Sequence, residues 1–134
     1  MNPSAPDHDI HIRVRYAETD RMGFLHHSQY FVYFEQARTE MLRSQGISYR
    51  EIEDQGFFLV VFRIDCTYRQ PAKYDDLLRI RTSLVRTTAV RIEHRYEVYR
   101  EEALVAEGSS VLACVDRQGR LQPLPEILQS SPDS

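Results

Sequence analysis

Beyond residue 57 the apolar side chains of this sequence recur at every second position, run after run, whereas ahead of it a single stretch keeps a helical period. A period of two sends one row of side chains to a core and the other to water, so each run predicts a half-buried strand. Over residues 90–99 the inner row is Val90, Ile92, His94, Tyr96 and Val98, and the outer row is Arg91, Glu93, Arg95 and Glu97. Leu78, Ile80, Thr82 and Leu84 alternate in the same way with Arg79, Arg81 and Ser83. Residues 57–69 open dense in Phe and Val, then alternate as Phe62, Ile64, Cys66 and Tyr68 until Pro71, which has no N–H to give a ladder. Residues 104–115 form the last run, closed by a turn at 116–119. An earlier strand is predicted over 10–16, where Ile10, Ile12, Val14 and Tyr16 alternate with His11, Arg13 and Arg15.

The helical stretch places Tyr30, Phe34, Ala37 and Met41 at spacings of four, three and four, widened by Phe31 and Leu42. Ser28 is the candidate N-cap and Gly46 the stop, since glycine takes the left-handed C-terminal conformation without a steric penalty. This predicts a helix over 28–45, with a short helical turn at 49–55. So broad an aromatic face needs cover, and the concave side of a sheet supplies it. Strand, helix, then four antiparallel strands make an α+β architecture.

A chain of 134 residues, 42% hydrophobic and 28% charged, suits one domain that folds without disulfides or a structural metal. Residues 1–9 are expected to be a flexible terminus, 10–122 the folded domain, and 123–134, with three prolines, a tail that lies along the surface or is partly disordered. A net charge of -3 argues against nucleic acid as a partner. Cys66 and Cys114 fall inside strand runs and read as reduced, buried thiols, the pattern of a reducing compartment. The first nine residues carry no apolar run, and no later segment has the roughly 20 apolar residues of a membrane span, so a cytoplasmic protein is expected.

Reactive side chains crowd into residues 18–38: Glu18, Asp20, His26, His27, Tyr30, Glu35 and Arg38. Residues 17–27 have no usable period and form a loop entering the helix. A carboxylate there lies beside unpaired helix N–H groups that polarise a carbonyl oxygen, which suits acyl transfer at Asp20. By spacing alone an Asp before a helix is more often a turn or capping residue. His26 and His27 are adjacent and do not share a helix face, so no metal is expected. Tyr30 fits a packed aromatic, and Glu35 faces solvent, pairs with Arg38 or turns to the site. His94 reads as a satisfied core or interface histidine, and neither cysteine has an activating neighbour.

The stretch Arg15-Tyr16-Ala17-Glu18-Thr19-Asp20-Arg21-Met22-Gly23-Phe24-Leu25-His26-His27-Ser28-Gln29-Tyr30, followed by Phe34-Glu35-Gln36-Ala37-Arg38, closely resembles the signature of 4-hydroxybenzoyl-CoA thioesterase-like hotdog proteins. Tyr68-Arg69-Gln70-Pro71-Ala72-Lys73-Tyr74-Asp75-Asp76 resembles the turn between the second and third sheet strands of that family, and the likeness spans residues 10–122. The resemblance implies a curved five-stranded antiparallel sheet wrapped around one long helix. It also implies homodimers that often pair into homotetramers, with active sites at the dimer interface. Asp20 then matches the catalytic carboxylate, as nucleophile or general base, His27 the residue whose backbone N–H polarises the thioester carbonyl, and Gly23 the glycine of the loop. Tyr30, His26 and Glu35 become candidates beside the substrate, and Arg69, Lys73 and Arg91 candidates for its phosphates. The implied substrate is an acyl-CoA, coenzyme A being part of the substrate and no cofactor being needed. Hydrolysis of acyl groups on acyl-carrier protein and binding of acyl thioesters without turnover stand as alternatives.

Overall fold

The computed structural model describes residues 6–129. In chain order the elements are β1 (His8–Arg13), α1 (Gln29–Ser44), α2 (Tyr49–Asp54), β2 (Phe58–Tyr68), β3 (Leu77–Thr87), β4 (Arg91–Arg100) and β5 (Ala103–Val115). All the strands pair antiparallel in one five-stranded sheet ordered β1-β3-β4-β5-β2. One long helix against one sheet is the α+β architecture expected. No helix among the described residues is long and apolar enough to cross a membrane.

The alternation of β4 survives folding: Ile92, His94, Tyr96 and Val98 are buried in one row. Tyr33, Phe34, Ala37 and Met41 of α1 are buried, and Phe34 lies flat on Tyr96, with ring centroids 4.3 Å apart. Around them Leu78, Ile80, Val98 and Val105 complete the core. The helix ends as the position of Gly46 suggests. Ile47 N–H donates to the Leu42 carbonyl and Gly46 N–H to that of Arg43, each at 3.0 Å, which satisfies two of the last orphan acceptors. Beneath the helix Gly108 of β5 lets the sheet and the Phe34 ring approach closely. A Cβ there would stand 2.7 Å from Phe34 Cε2 and inside contact with the Asp65 carbonyl oxygen of β2.

Several boundaries differ from expectation, each for a local reason. The first strand spans 8–13 rather than 10–16. It starts earlier because Asp9 is held by Arg79 and Arg81 of β3, the Arg81 contact at 2.9 Å, so His8 and Asp9 are strand and not free terminus. It stops earlier because pairing with β3 runs out at Arg13 opposite Leu77. Tyr16, expected on the inner row, is 78% exposed in a 3₁₀ turn at Tyr16–Glu18. In β2 the register slips between Val61 and Arg63, a bulge on an edge strand that leaves Phe62 60% exposed under the Arg91 guanidinium, 4.4 Å from the ring centroid. The tail does not simply trail along the surface. Leu124 is buried against Ile92 and Cys114, and its N–H donates to the Ala89 carbonyl at 2.9 Å. Residues 1–5 and 130–134 of the two expected flexible ends lie outside the described residues.

Arg38 does not pair with Glu35. It turns into the core, with Nη1 3.5 Å from the Tyr96 hydroxyl, which itself lies 2.6 Å from Ser110 Oγ. His94 is in the core as expected, 5% exposed, but its Nδ1 has no partner among the described residues. Burial first, and the Arg38 charge second, push the His94 pKa down to about 4. The unfolded chain therefore binds a proton near pH 6.5 that the folded one refuses until about pH 4, and stability falls as the pH drops through that window. Urea unfolding is expected to show a loss of about 2 kcal/mol between pH 7.5 and 5. His94→Phe should flatten that limb, and an unchanged slope in the variant would assign the loss elsewhere.

Candidate active site

The site is built by the loop between β1 and α1. Arg15 N–H donates to Glu18 Oε1 at 2.9 Å, the i to i+3 geometry of a capping box, and bends the chain into its 3₁₀ turn. Glu18 is only 7% exposed, yet its carboxylate also accepts the Tyr33 hydroxyl of α1 at 2.7 Å and the Arg15 guanidinium at 3.2 Å. Burial alone would raise its pKa. The hydrogen bonds from the Arg15 N–H, the Tyr33 hydroxyl and the Arg15 guanidinium outweigh it and hold the carboxyl below its ordinary value, so Glu18 is ionised.

Two residues on, Asp20 closes a tight loop on itself. Its Oδ1 accepts the N–H groups of Met22 at 2.8 Å and Phe24 at 3.1 Å, while its backbone N–H donates to the Phe24 carbonyl at 2.8 Å. Gly23 sits in this turn at φ +82°, a conformation costly for any residue with a Cβ. Leu25 N–H then donates to the Ala72 carbonyl at 2.7 Å, tying the loop to the β2–β3 connection. The capping role that spacing alone favours for Asp20 is thus real, but it occupies one oxygen. Oδ2 has no hydrogen-bond partner among the described residues, and Asp20 is exposed at the mouth of a cleft of about 330 Å³.

The opposite wall is the entry of α1. His26 N–H donates to the Glu18 carbonyl at 2.9 Å, and Ser28 N–H turns back to His26 Nδ1 at 3.2 Å. Ser28 stands at the N-cap as expected, but its hydroxyl lies 2.9 Å from His26 Nδ1 instead of capping the helix. Between these two engaged amides, the His27 N–H has no partner among the described residues, and His27 lines the same cleft as Asp20. The Tyr68 hydroxyl of β2 donates to the His27 carbonyl at 3.0 Å and so holds the adjoining His27–Ser28 peptide from the sheet side. Phe24, Leu25, Tyr30 and Tyr68 give the cleft an apolar lining. Tyr30 stands edge-on to Tyr68, with ring centroids 5.1 Å apart, and burial first pushes its hydroxyl pKa up to about 12, so it stays neutral. Burial likewise pushes the Cys66 thiol up to about 11, far from a thiolate nucleophile.

A family model of the Thioesterase-like superfamily matches residues 14–131. The chain belongs to that superfamily. The acyl-CoA thioester hydrolase YbgC of Escherichia coli O157:H7 is 35% identical to it over 107 residues, covering 78% of this chain and 79% of that protein. The acyl-CoA thioesterase YbgC of Haemophilus influenzae is 32% identical over 114 residues, covering 84% and 83%. Among solved structures, the DHNA-CoA thioesterase of Staphylococcus aureus superposes with a TM-score of 0.85 at 28% identity, over 87% of this chain and 80% of that one. The hotdog fold and the thioester hydrolase class implied by the resemblance are therefore those of this chain.

Within this thioesterase-like fold the residues singled out from sequence divide clearly. Asp20, His27, Tyr30 and Arg69 line one cleft, and Gly23 shapes the loop behind Asp20. Arg69 arrives paired, Nη2 to Glu107 at 2.6 Å. His26 stacks on His27, centroids 4.2 Å apart, and spends its Nδ1 on Ser28 outside the cleft. Lys73 meets the loop through its backbone, bridged to Phe24, and does not line the cleft. Glu35 lies on the exposed side of α1 and Arg91 lies over Phe62, and neither lines this cleft. Sequence reasoning counted Glu18 among the reactive side chains without giving it a role, and gave none to Tyr68. The Arg15-x-x-Glu18 spacing of a capping box was the available signal for the first, whereas nothing local in the sequence marks Tyr68, which reaches His27 from 41 residues away.

Proposed function

We propose that the protein hydrolyses acyl-CoA thioesters. The observation that carries this is the convergence on one cleft of a carboxylate oxygen and a backbone N–H, Asp20 Oδ2 and His27 N, neither of which has a partner among the described residues. The His27 N–H at the head of the sixteen-residue α1 donates to the thioester carbonyl oxygen as it gains charge, a contribution on the order of 3 kcal/mol. Asp20 then either attacks the carbonyl carbon, expelling the CoA thiolate and leaving a mixed anhydride that water opens, or takes a proton from the attacking water. The apolar lining by Phe24, Leu25, Tyr30 and Tyr68 suits the acyl portion. Relatives named as acyl-CoA thioesterases support that substrate.

The working unit in this proposal is a homodimer. β2 is an edge strand, and Val60, Val61 and Phe62 stand exposed on it, a long apolar edge that a second copy would cover. The test is free-thiol release from short, long and aromatic acyl-CoAs, with sedimentation of the same preparation. Turnover of at least one acyl-CoA by a species of twice the monomer mass is expected. Silence on every acyl-CoA with turnover of acyl-carrier protein would overturn the choice of thiol carrier, and silence on both would overturn hydrolysis.

A further inference from the structure

We infer that Glu18 is a positioning residue of the hydrolytic site, setting the Asp20 loop against the head of α1 so that Asp20 Oδ2 and the His27 N–H meet the thioester at the same time. The inference rests on the function proposed above. Glu18 lies between the two halves of the site and bonds to both. Its carboxylate reaches Tyr33, one turn into the helix, at 2.7 Å, and its carbonyl takes the His26 N–H at 2.9 Å. The second bond withdraws the His26 amide from the cleft and leaves the next amide, His27, as the one available donor of the pair. On the loop side, Glu18 Oε1 also accepts the Arg15 N–H at 2.9 Å, which sets the turn that leads to Asp20. One buried side chain therefore holds the start of the loop, and through Tyr33 the helix, in a single frame.

The division of labour between the two oxygens makes this testable. Oε1 carries the Tyr33 and Arg15 N–H bonds, whereas Oε2 meets only the Arg15 guanidinium, whose side chain is 74% exposed. Glu18→Gln keeps an oxygen in the first role and gives up only the second. Glu18→Ala gives up both and strands a buried Tyr33 hydroxyl. A displacement on the order of 1 Å between reacting groups is enough for about a hundredfold in rate. The chain bound to substrate loses less, because the apolar lining of the cleft does not depend on Glu18.

Steady-state kinetics on the best acyl-CoA, with thermal melts on the same samples, decide the matter. Glu18→Ala is expected to lower kcat about 30-fold to 100-fold with KM changed less than about threefold. Glu18→Gln should restore most of kcat, and Arg15→Gln should stay within about twofold of wild type. If Glu18→Ala does not fold, Tyr33→Phe carries the test, with an expected loss of about fivefold to tenfold in kcat at nearly constant KM. A folded Glu18→Ala or Tyr33→Phe with wild-type kcat overturns the inference and leaves the proposed function standing. So does a loss that Glu18→Gln fails to recover, which would assign Glu18 a charge-dependent role instead. A wild-type protein silent on every thioester overturns both.

Discussion

Asp20→Asn is expected to lower kcat for thioester hydrolysis at least about a hundredfold while the melting temperature stays within a few degrees of wild type. The structure separates the two jobs of this side chain. Oδ1 caps the loop by accepting from Met22 and Phe24, and the amide oxygen of Asn can accept both bonds in the same geometry. The change therefore falls on Oδ2, which has no partner among the described residues, in a residue that lines the cleft. An NH2 group in its place is neither an anionic nucleophile nor a base, and it has lone-pair density committed to the amide. KM should change little, since the apolar lining and the His27 N–H are untouched. Asp20→Ala provides the contrast, because it removes the cap as well and should lose stability by about 1 kcal/mol in addition to activity. Full activity in a folded Asp20→Asn protein would exclude Asp20 from the chemistry and reduce it to a loop cap. Melts by circular dichroism and thiol release on matched samples read both quantities.

How far the sequence alone reaches can be judged at individual residues. The α1 helix, its Gly46 stop and the buried row of β4 follow from periods and from one glycine, because each depends on neighbours within about a turn or a strand. The cleft position of Asp20 and His27, with Gly23 in the loop behind, follows from a motif, since the motif is one continuous loop whose geometry is set by its own hydrogen bonds. Legibility fails where partners are distant in the chain. Tyr16 continues the alternation of β1 but has no strand to pair with beyond Leu77, so the period overstates the strand. Phe62 continues the alternation of β2, and only the bulge opposite β5 turns it out. Glu35 and Arg38 have the spacing of an i, i+3 pair, yet Arg38 finds the Tyr96 hydroxyl on β4 instead. Charge alone also says nothing of whether a cation is already engaged, as Arg69 of the cleft is paired to Glu107 and Arg91 is stacked on Phe62.

Gly108→Ala tests the contact on which the whole arrangement is built, and is expected to destabilise the fold by about 3 kcal/mol in urea titrations. A glycine within a strand usually weakens it, so its presence in the middle of β5 needs a steric reason. Gly108 lies between Tyr96 of β4 and Cys66 of β2 in the pairing, and Phe34 of α1 lies flat on Tyr96. The methyl of alanine would meet Phe34 Cε2 at 2.7 Å on the helix side and the Asp65 carbonyl oxygen on the β2 side, so neither the helix nor the edge strand can keep its place. Relief on the helix side is available by shrinking the ring. Phe34→Leu alone should cost about 1–3 kcal/mol, and the double variant should cost less than the sum, because the clash and the lost ring are one event counted twice. Strict additivity would mean that the backbone of β2, and not the helix, absorbs the added methyl. In that case activity becomes the sharper readout. β2 carries Tyr68, whose hydroxyl donates to the His27 carbonyl at 3.0 Å, and a shifted β2 would disturb His27, the proposed oxyanion donor, before it unfolds the protein.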